Sequence, residues 1–167
     1  MNNDPELRVA VESDADLLLD FMRAYYAFDG HGFDREKARA ALVPLLCNPD
    51  FGRVWVILDR GKPVGYIVIC LGYSLEWLGR DAFVDEFYLI KEYRGRGWGQ
   101  KVMAIVEDAA REISVRALHL EVVDGNEAAG HLYRKLGFES HHSIFLTKWI
   151  EKEFSKPPSQ KRERPST

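Results

Sequence analysis

The chain has 167 residues, with 23 Lys and Arg against 26 Asp and Glu for a formal net charge of −3, and it is 46% hydrophobic and 29% charged. That suits one domain with a single core and excludes wholesale disorder. The longest apolar stretches, residues 64–71 and 54–58, fall far short of the roughly 20 residues of a membrane helix, so no bilayer span is expected. The opening Met-Asn-Asn-Asp-Pro-Glu lacks the basic and apolar sections of a secretory signal, which makes the cytoplasm the expected compartment. Cys47 and Cys70 lie far apart in apolar surroundings and read as reduced core residues, without the paired spacing of a zinc site.

Charge is unevenly distributed. Residues 156–167 hold Lys156, Lys161, Arg162 and Arg164 against Glu163, a net of +3, which leaves −6 for residues 1–155. With Pro157, Pro158 and Pro165 and no apolar anchor, residues 155–167 read as a disordered basic tail behind a single domain at 1–154.

In chain order, Leu7, Val9 and Val11 alternate as a short first strand. Ser13 is a candidate N-cap for a helix whose stripe is Leu17, Leu18, Phe21, Met22 and Tyr25. Asp34 can cap a second helix, which Pro44 should kink or end. Arg53 to Asp59 and Pro63 to Leu71 form a hairpin about Arg60-Gly61-Lys62. Ala82 to Ile90 is apolar on both faces, as a central strand is. After a glycine-rich segment come a helix through Val102, Ile105, Val106, Ala109 and Ile113, and a strand at Leu118 to Val122. Asn126 can cap a last helix stopped by Gly137, and Ser143 to Trp149 alternates as a final strand.

Two segments carry chemistry. Arg94-Gly95-Arg96-Gly97-Trp98-Gly99 follows a buried strand and opens a helix. Glycines there let successive N–H groups turn toward an anion, and Arg94, Arg96 and Lys101 can neutralise phosphate. The third glycine comes one residue too early for a dinucleotide fingerprint, and no Gly-Lys-Ser/Thr follows as in a nucleotide P-loop. The second segment is Asn126-Glu-Ala-Ala129-Gly-His-Leu132-Tyr133-Arg-Lys-Leu-Gly137-Phe138.

Together, R-x-x-G-x-G followed by N-x-x-A-x-x-L-Y-x-x-x-G-F resembles the GNAT superfamily of acetyl-CoA-dependent N-acetyltransferases, and the element order from Leu7 to Trp149 matches as well. The resemblance implies an α/β fold with a mixed, mostly antiparallel sheet of six to seven strands flanked by about four helices. It implies acetyl-CoA as cofactor, with Arg94, Gly95, Arg96, Gly97, Trp98, Gly99, Gln100 and Lys101 around the pyrophosphate. Leu89 and Lys91 would hold the pantetheine arm through their backbone, Asn126 would contact CoA, and Tyr133 would stand beside the thioester sulfur. Homodimers are common in the family, so a dimer is a further expectation.

Acyl transfer to an amine needs a base, an oxyanion donor and a proton for the departing thiolate. An alkylamine with a pKa near 10.4 is almost wholly protonated at neutral pH. Asp85 and Glu86 are the candidate bases, pointing to opposite faces of a regular strand unless a bulge re-aims them. The resemblance favours Asp85, which lines up with the strand carboxylate of the polyamine-acetylating branch; a structural bond is the competing role for either. The Leu89 N–H is the candidate oxyanion donor and the Tyr133 hydroxyl the candidate acid. Tyr25, Phe28 and His31 between the first helices, and Tyr73, Glu76 and Trp77 after the third strand, are candidate acceptor-side residues. His119 and His131 lack metal-ligand spacing and the adjacent His141-His142 point apart in a strand, so no metal is expected.

The expected function is therefore acetyl transfer to a primary amine of a small cationic acceptor, the alternatives being a protein or peptide acceptor and a non-catalytic CoA sensor. Lys91 to Lys101 carries a net +3, a basic cradle in an acidic body. That suits a polyanionic cofactor and a cationic acceptor, with no nucleic-acid partner.

Overall fold

The computed structural model describes residues 4–122, 125–141 and 144–150. Five strands form one sheet in the order β1 (Glu6–Val9), β2 (Gly52–Asp59), β3 (Lys62–Ser74), β4 (Gly79–Leu89) and β5 (Ala117–His119). All neighbours are antiparallel except β4 and β5, which run parallel with α3 (Trp98–Glu112) as their crossover. Helices α1 (Ala15–Phe28) and α2 (Arg35–Cys47) precede β2, and α4 (Glu127–Lys135) follows β5.

The sheet is buried on both faces, which explains why β2 and β3 are continuous apolar runs. Val54, Val56, Tyr66 and Val68 pack with Leu18, Leu19 and Leu42 of α1 and α2. Trp55, Ile57, Ile67 and Ile69 pack on the opposite side with Val102, Met103 and Val106 of α3. Asp59 pairs with Lys62, so the β2–β3 turn is the two residues Arg60 (φ 49°) and Gly61 (φ 77°). Positive φ at both central positions suits the right-handed twist of a hairpin.

Several expectations are corrected. β1 ends at Val9, and a 3-10 turn over Glu12–Asp14 stands where Ser13 was expected to cap α1. The Asp14 carboxylate instead accepts from the Val11 N–H at 2.8 Å and from both Arg8 Nη atoms at 2.8 and 2.9 Å, which joins the strand to the helix start. Asp34 caps α2 as expected, accepting from the Glu36 and Lys37 N–H groups, but the helix runs through Pro44 to Cys47. Val43, Leu45 and Leu46 around that proline pack on the α1–α2 core, so tertiary contacts outweigh the lost donor. Cys47 is exposed at the end of α2, with its Sγ 3.9 Å from Glu12 Oε2, and Cys70 is half-buried; neither lies fully in the core. Among the described residues the sheet has five strands, not six or seven, and 144–149 form no strand. Ser143, His142 and the tail at 155–167 lie outside the described residues. Among the described residues no helix is long and apolar enough to cross a membrane.

Candidate active site

The ladder between β4 and β5 stops at Phe83 opposite His119. Beyond that point the C-terminal half of β4 and residues 120–122 diverge, and a cavity of about 480 Å³ opens between them. Its floor is Val84, Asp85, Phe87, Tyr88 and Leu89 of β4. One wall is the glycine-rich loop, with Arg94, Gly95, Gly97, Gly99 and Gln100; another is α4, with Asn126, Ala129, Leu132 and Tyr133. Tyr25, Phe28 and Asp29 from the end of α1 complete it.

The loop has the backbone geometry expected of an anion cradle. Gly95 and Gly97 have φ of 71° and 79°, a left-handed backbone that strains other residues, and a Cβ on either would meet nothing within 4 Å. The space beside their Cα atoms is therefore open, directly before the N-terminus of α3 at Trp98. Arg94 turns back across the end of β4. Its Nε donates to the Leu89 carbonyl at 2.7 Å, and its guanidinium lies 4.4 Å from the Phe28 ring centroid and 5.1 Å from that of Tyr88. Asn126 caps α4, its Oδ1 accepting from the Ala129 N–H at 3.2 Å, and this fixes the helix that carries Tyr133.

The two strand carboxylates are sorted by a bulge. Val68 pairs with Glu86 and the next residue, Ile69, pairs with Val84, so Asp85 is the extra residue. The expected alternation breaks there. Val84 joins Phe87 in the α3-side core, Glu86 stays on the α1 side, and Asp85 lines the cavity. Glu86 accepts the Tyr66 hydroxyl at 2.6 Å. Burial, with Glu86 beside them, pushes the phenols of Tyr66 and Tyr26 well above the usual range, and burial with Asp29 does the same for Tyr25. Burial likewise raises the Tyr133 phenol, whose ring packs edge-on against Phe138 at 5.6 Å. The Cys70 thiol is pushed up to about 11 by burial, then by Asp85 and Glu86.

The cavity thus brings together Asp85, Tyr133, Leu89, Arg94, Gly95, Gly97, Gly99, Gln100, Asn126, Tyr25 and Phe28. Other expected residues stand apart from its lining. Trp98 is 3% exposed, its side chain in the core, so only its backbone can serve the loop. Lys101 is engaged by Asp4. Lys91, Arg96 and Glu86 do not line the cavity. His31 packs edge-on against Tyr26 at 6.4 Å, while Tyr73, 79% exposed, and Glu76 lie at the β3–β4 turn. Trp77 lies tilted against His119, ring centroids 5.1 Å apart, and among the described residues no three His, Cys, Asp or Glu form a metal-holding group. Sequence reasoning missed Asp29, Tyr88 and Glu121. Asp29 follows the expected aromatic cluster directly, and that adjacency was the available signal; Glu121 comes from a segment whose exit from the sheet no local pattern encodes.

Residues 16–138 match the description "Acetyltransferase (GNAT) family". The chain is 38% identical over 74 residues to thialysine N-epsilon-acetyltransferase of Bos taurus, covering 44% of this chain and 43% of the relative. The chain spans about half or less of the length of the first curated relatives it matches. An integron cassette protein from the mobile metagenome of Cole Harbour Salt Marsh superposes with a TM-score of 0.78 at 31% identity, over 92% of each chain. A predicted acetyltransferase with acetyl-CoA from Clostridium acetobutylicum gives a TM-score of 0.74 at 15% identity, over 86% of this chain and 96% of that one, and shares the fold.

Proposed function

Because the chain belongs to the acetyltransferase (GNAT) family, we propose that it transfers the acetyl group of acetyl-CoA directly to a primary amine of a small cationic acceptor. One observation carries this reading: the β4 bulge turns Asp85 into the same cavity as the glycine-rich anion cradle and the Tyr133 hydroxyl. When bound, acetyl-CoA would supply a thioester-activated acetyl group, and the backbone of Gly95 and Gly97 before α3 would hold its pyrophosphate. Arg94, Gln100 and Asn126 would line its path.

Within the cavity Asp85 takes the proton of the incoming ammonium, leaving a neutral nitrogen able to attack. The Leu89 N–H is the oxyanion donor, at the last β4 residue paired with β3 and past the end of the β5 ladder. The Tyr133 O–H donates to the departing thiolate, and its raised pKa keeps that proton in place across neutral and mildly alkaline pH. Cys70 does not line the cavity and burial raises its thiol, which supports direct transfer over a covalent acyl-enzyme.

Three carboxylates, Asp29, Asp85 and Glu121, line the cavity and favour a cationic acceptor. The name of the bovine relative points to an ε-amine as its own acceptor, a chemistry compatible with these carboxylates. An acceptor side open to Asp85 favours catalysis over a CoA sensor. Thiol release from acetyl-CoA, measured with diamines, amino acids, aminoglycosides and short peptides, tests the proposal. Turnover is expected with small diamines or lysine-like amines; no release with any amine overturns it.

A further inference from the structure

Asp59 is the one charged residue buried among those described, at 7% exposure. It is the last residue of β2, just before the Arg60-Gly61 turn. A charge at this depth is unfavourable compared with an apolar side chain unless it is well bonded. Its partner lies on the glycine-rich loop: the Tyr93 hydroxyl donates to Asp59 Oδ2 at 2.6 Å, while the exposed Arg60 Nε lies 3.4 Å from Oδ1. Tyr93 closes a 3-10 turn, Lys91–Tyr93, immediately before Arg94. Its ring also packs edge-on against Trp98 at 4.7 Å, and Trp98 is the buried first residue of α3.

The four residues 94–97 therefore leave and re-enter the fold through two aromatic side chains that touch each other. Between those two points, Gly95 and Gly97 have no neighbours that a Cβ would meet. Gly95 and Gly97 carry no side chain to pack, so the geometry of the loop depends on its base and on Arg94, which is bonded to the Leu89 carbonyl. One flank of that base, Trp98, is held by the core; the other, Tyr93, packs on the edge of the same core and donates its N–H to the Ile90 carbonyl at 3.0 Å, and its hydroxyl bond to Asp59 ties it to the β2–β3 hairpin.

We propose that Asp59 and Tyr93 are positioning residues for the phosphate cradle, fixing the direction in which the N–H groups of 95–97 point. The inference rests on the reading that this loop receives the CoA pyrophosphate. It predicts that the pair acts on pyrophosphate affinity and leaves the chemical step alone.

The test is calorimetric binding of CoA and of pantetheine, which lacks the pyrophosphate, to the full chain and to Tyr93→Phe, Asp59→Ala and Asp59→Asn, together with kcat at saturating acetyl-CoA. Tyr93→Phe and Asp59→Ala should each weaken CoA about 10-fold, the loss of one hydrogen bond to a charged group. Pantetheine affinity should stay within about twofold and kcat within about twofold, both well below that loss. Asp59→Asn keeps an oxygen that accepts the Tyr93 hydroxyl and should restore CoA binding to within about threefold of the parent. A Tyr93→Phe protein that binds CoA as the parent does, or that loses CoA and pantetheine equally, overturns the positioning role. A parent chain that fails to bind CoA overturns the cofactor reading beneath it.

Discussion

Replacing Tyr133 by Phe removes one oxygen and leaves the ring in place against Phe138, 5.6 Å away. The loss can be sized from the leaving group. A thiol with a pKa of about 8.5 leaves as a thiolate that is unfavourable at pH 7 by about 1.5 units, close to 2 kcal/mol. A donor that offsets this penalty fully is worth about 30-fold in rate, within the range for a hydrogen bond to a charged group. Tyr133→Phe should therefore lower kcat about 30-fold at pH 7, with the KM for acetyl-CoA within about threefold of the parent. Because the thiolate becomes the stable form above its own pKa, the deficit should all but disappear at pH 9.5. The Tyr133 phenol is raised by burial, so the parent keeps its proton over most of this range and the comparison is not blurred by its titration. Steady-state thiol release at both pH values, with the CoA dissociation constant measured alongside, is the assay. An unchanged kcat at pH 7, or an equal loss at both pH values, would refute the role of Tyr133 as proton donor.

Further outcomes follow from the same geometry. Asp85→Asn should lower kcat by about 100-fold through loss of the base, whereas Glu86→Gln, which still accepts from Tyr66, should stay within about threefold in a thiol-release assay. Gly65→Ala puts a Cβ 2.1 Å from the Tyr88 carbonyl and 3.1 Å from Leu89 Cα, contacts with backbone that cannot give way; a loss of about 3 kcal/mol or more is expected in urea unfolding. Gly97→Ala meets no atom but must adopt φ of 79°, which should cost only about 1 kcal/mol in the same measurement and show chiefly as weaker CoA binding. The Arg8 guanidinium, by hydrogen bonding, holds the Asp14 carboxyl below its usual range. The stability it contributes is present above the unfolded carboxyl pKa of about 3.9 and fades as pH falls through the lower folded value. Asp14→Asn should therefore cost about 1 kcal/mol at pH 7, and the difference from the parent should vanish near pH 2; a difference that persists there would assign the loss to something other than the carboxylate.

How far the fold and the site could be read depended on how local the signal was. The glycine-rich loop and the Asn126 to Phe138 segment were legible because φ preferences and helix caps belong to a few adjacent residues. Gly95 and Gly97 take the left-handed backbone that the pattern suggested, and Asn126 caps its helix. The persistence of α2 through Pro44 was not legible, since it depends on the apolar residues around the proline finding the α1–α2 core. The two candidate carboxylates could be narrowed to adjacent positions and no further. Which one enters the cavity depends on the pairing of β4 with β3, where one extra residue changes the facing of everything beyond it.

By itself, then, the amino-acid order determined the helices, most of the strands, the glycine-rich turn at 94–99 and a short set of acid–base candidates. It also located a basic segment within an acidic body. Tertiary structure alone decided how those charges are used: Lys101 is taken by Asp4, Arg94 is drawn across Phe28 and Tyr88, and Asp29, Asp85 and Glu121 converge on one cavity. The physical reason is that charge and propensity belong to single residues and short windows. The direction of a side chain is set by strand register and by neighbours far away in sequence, and it exists only once the sheet has formed.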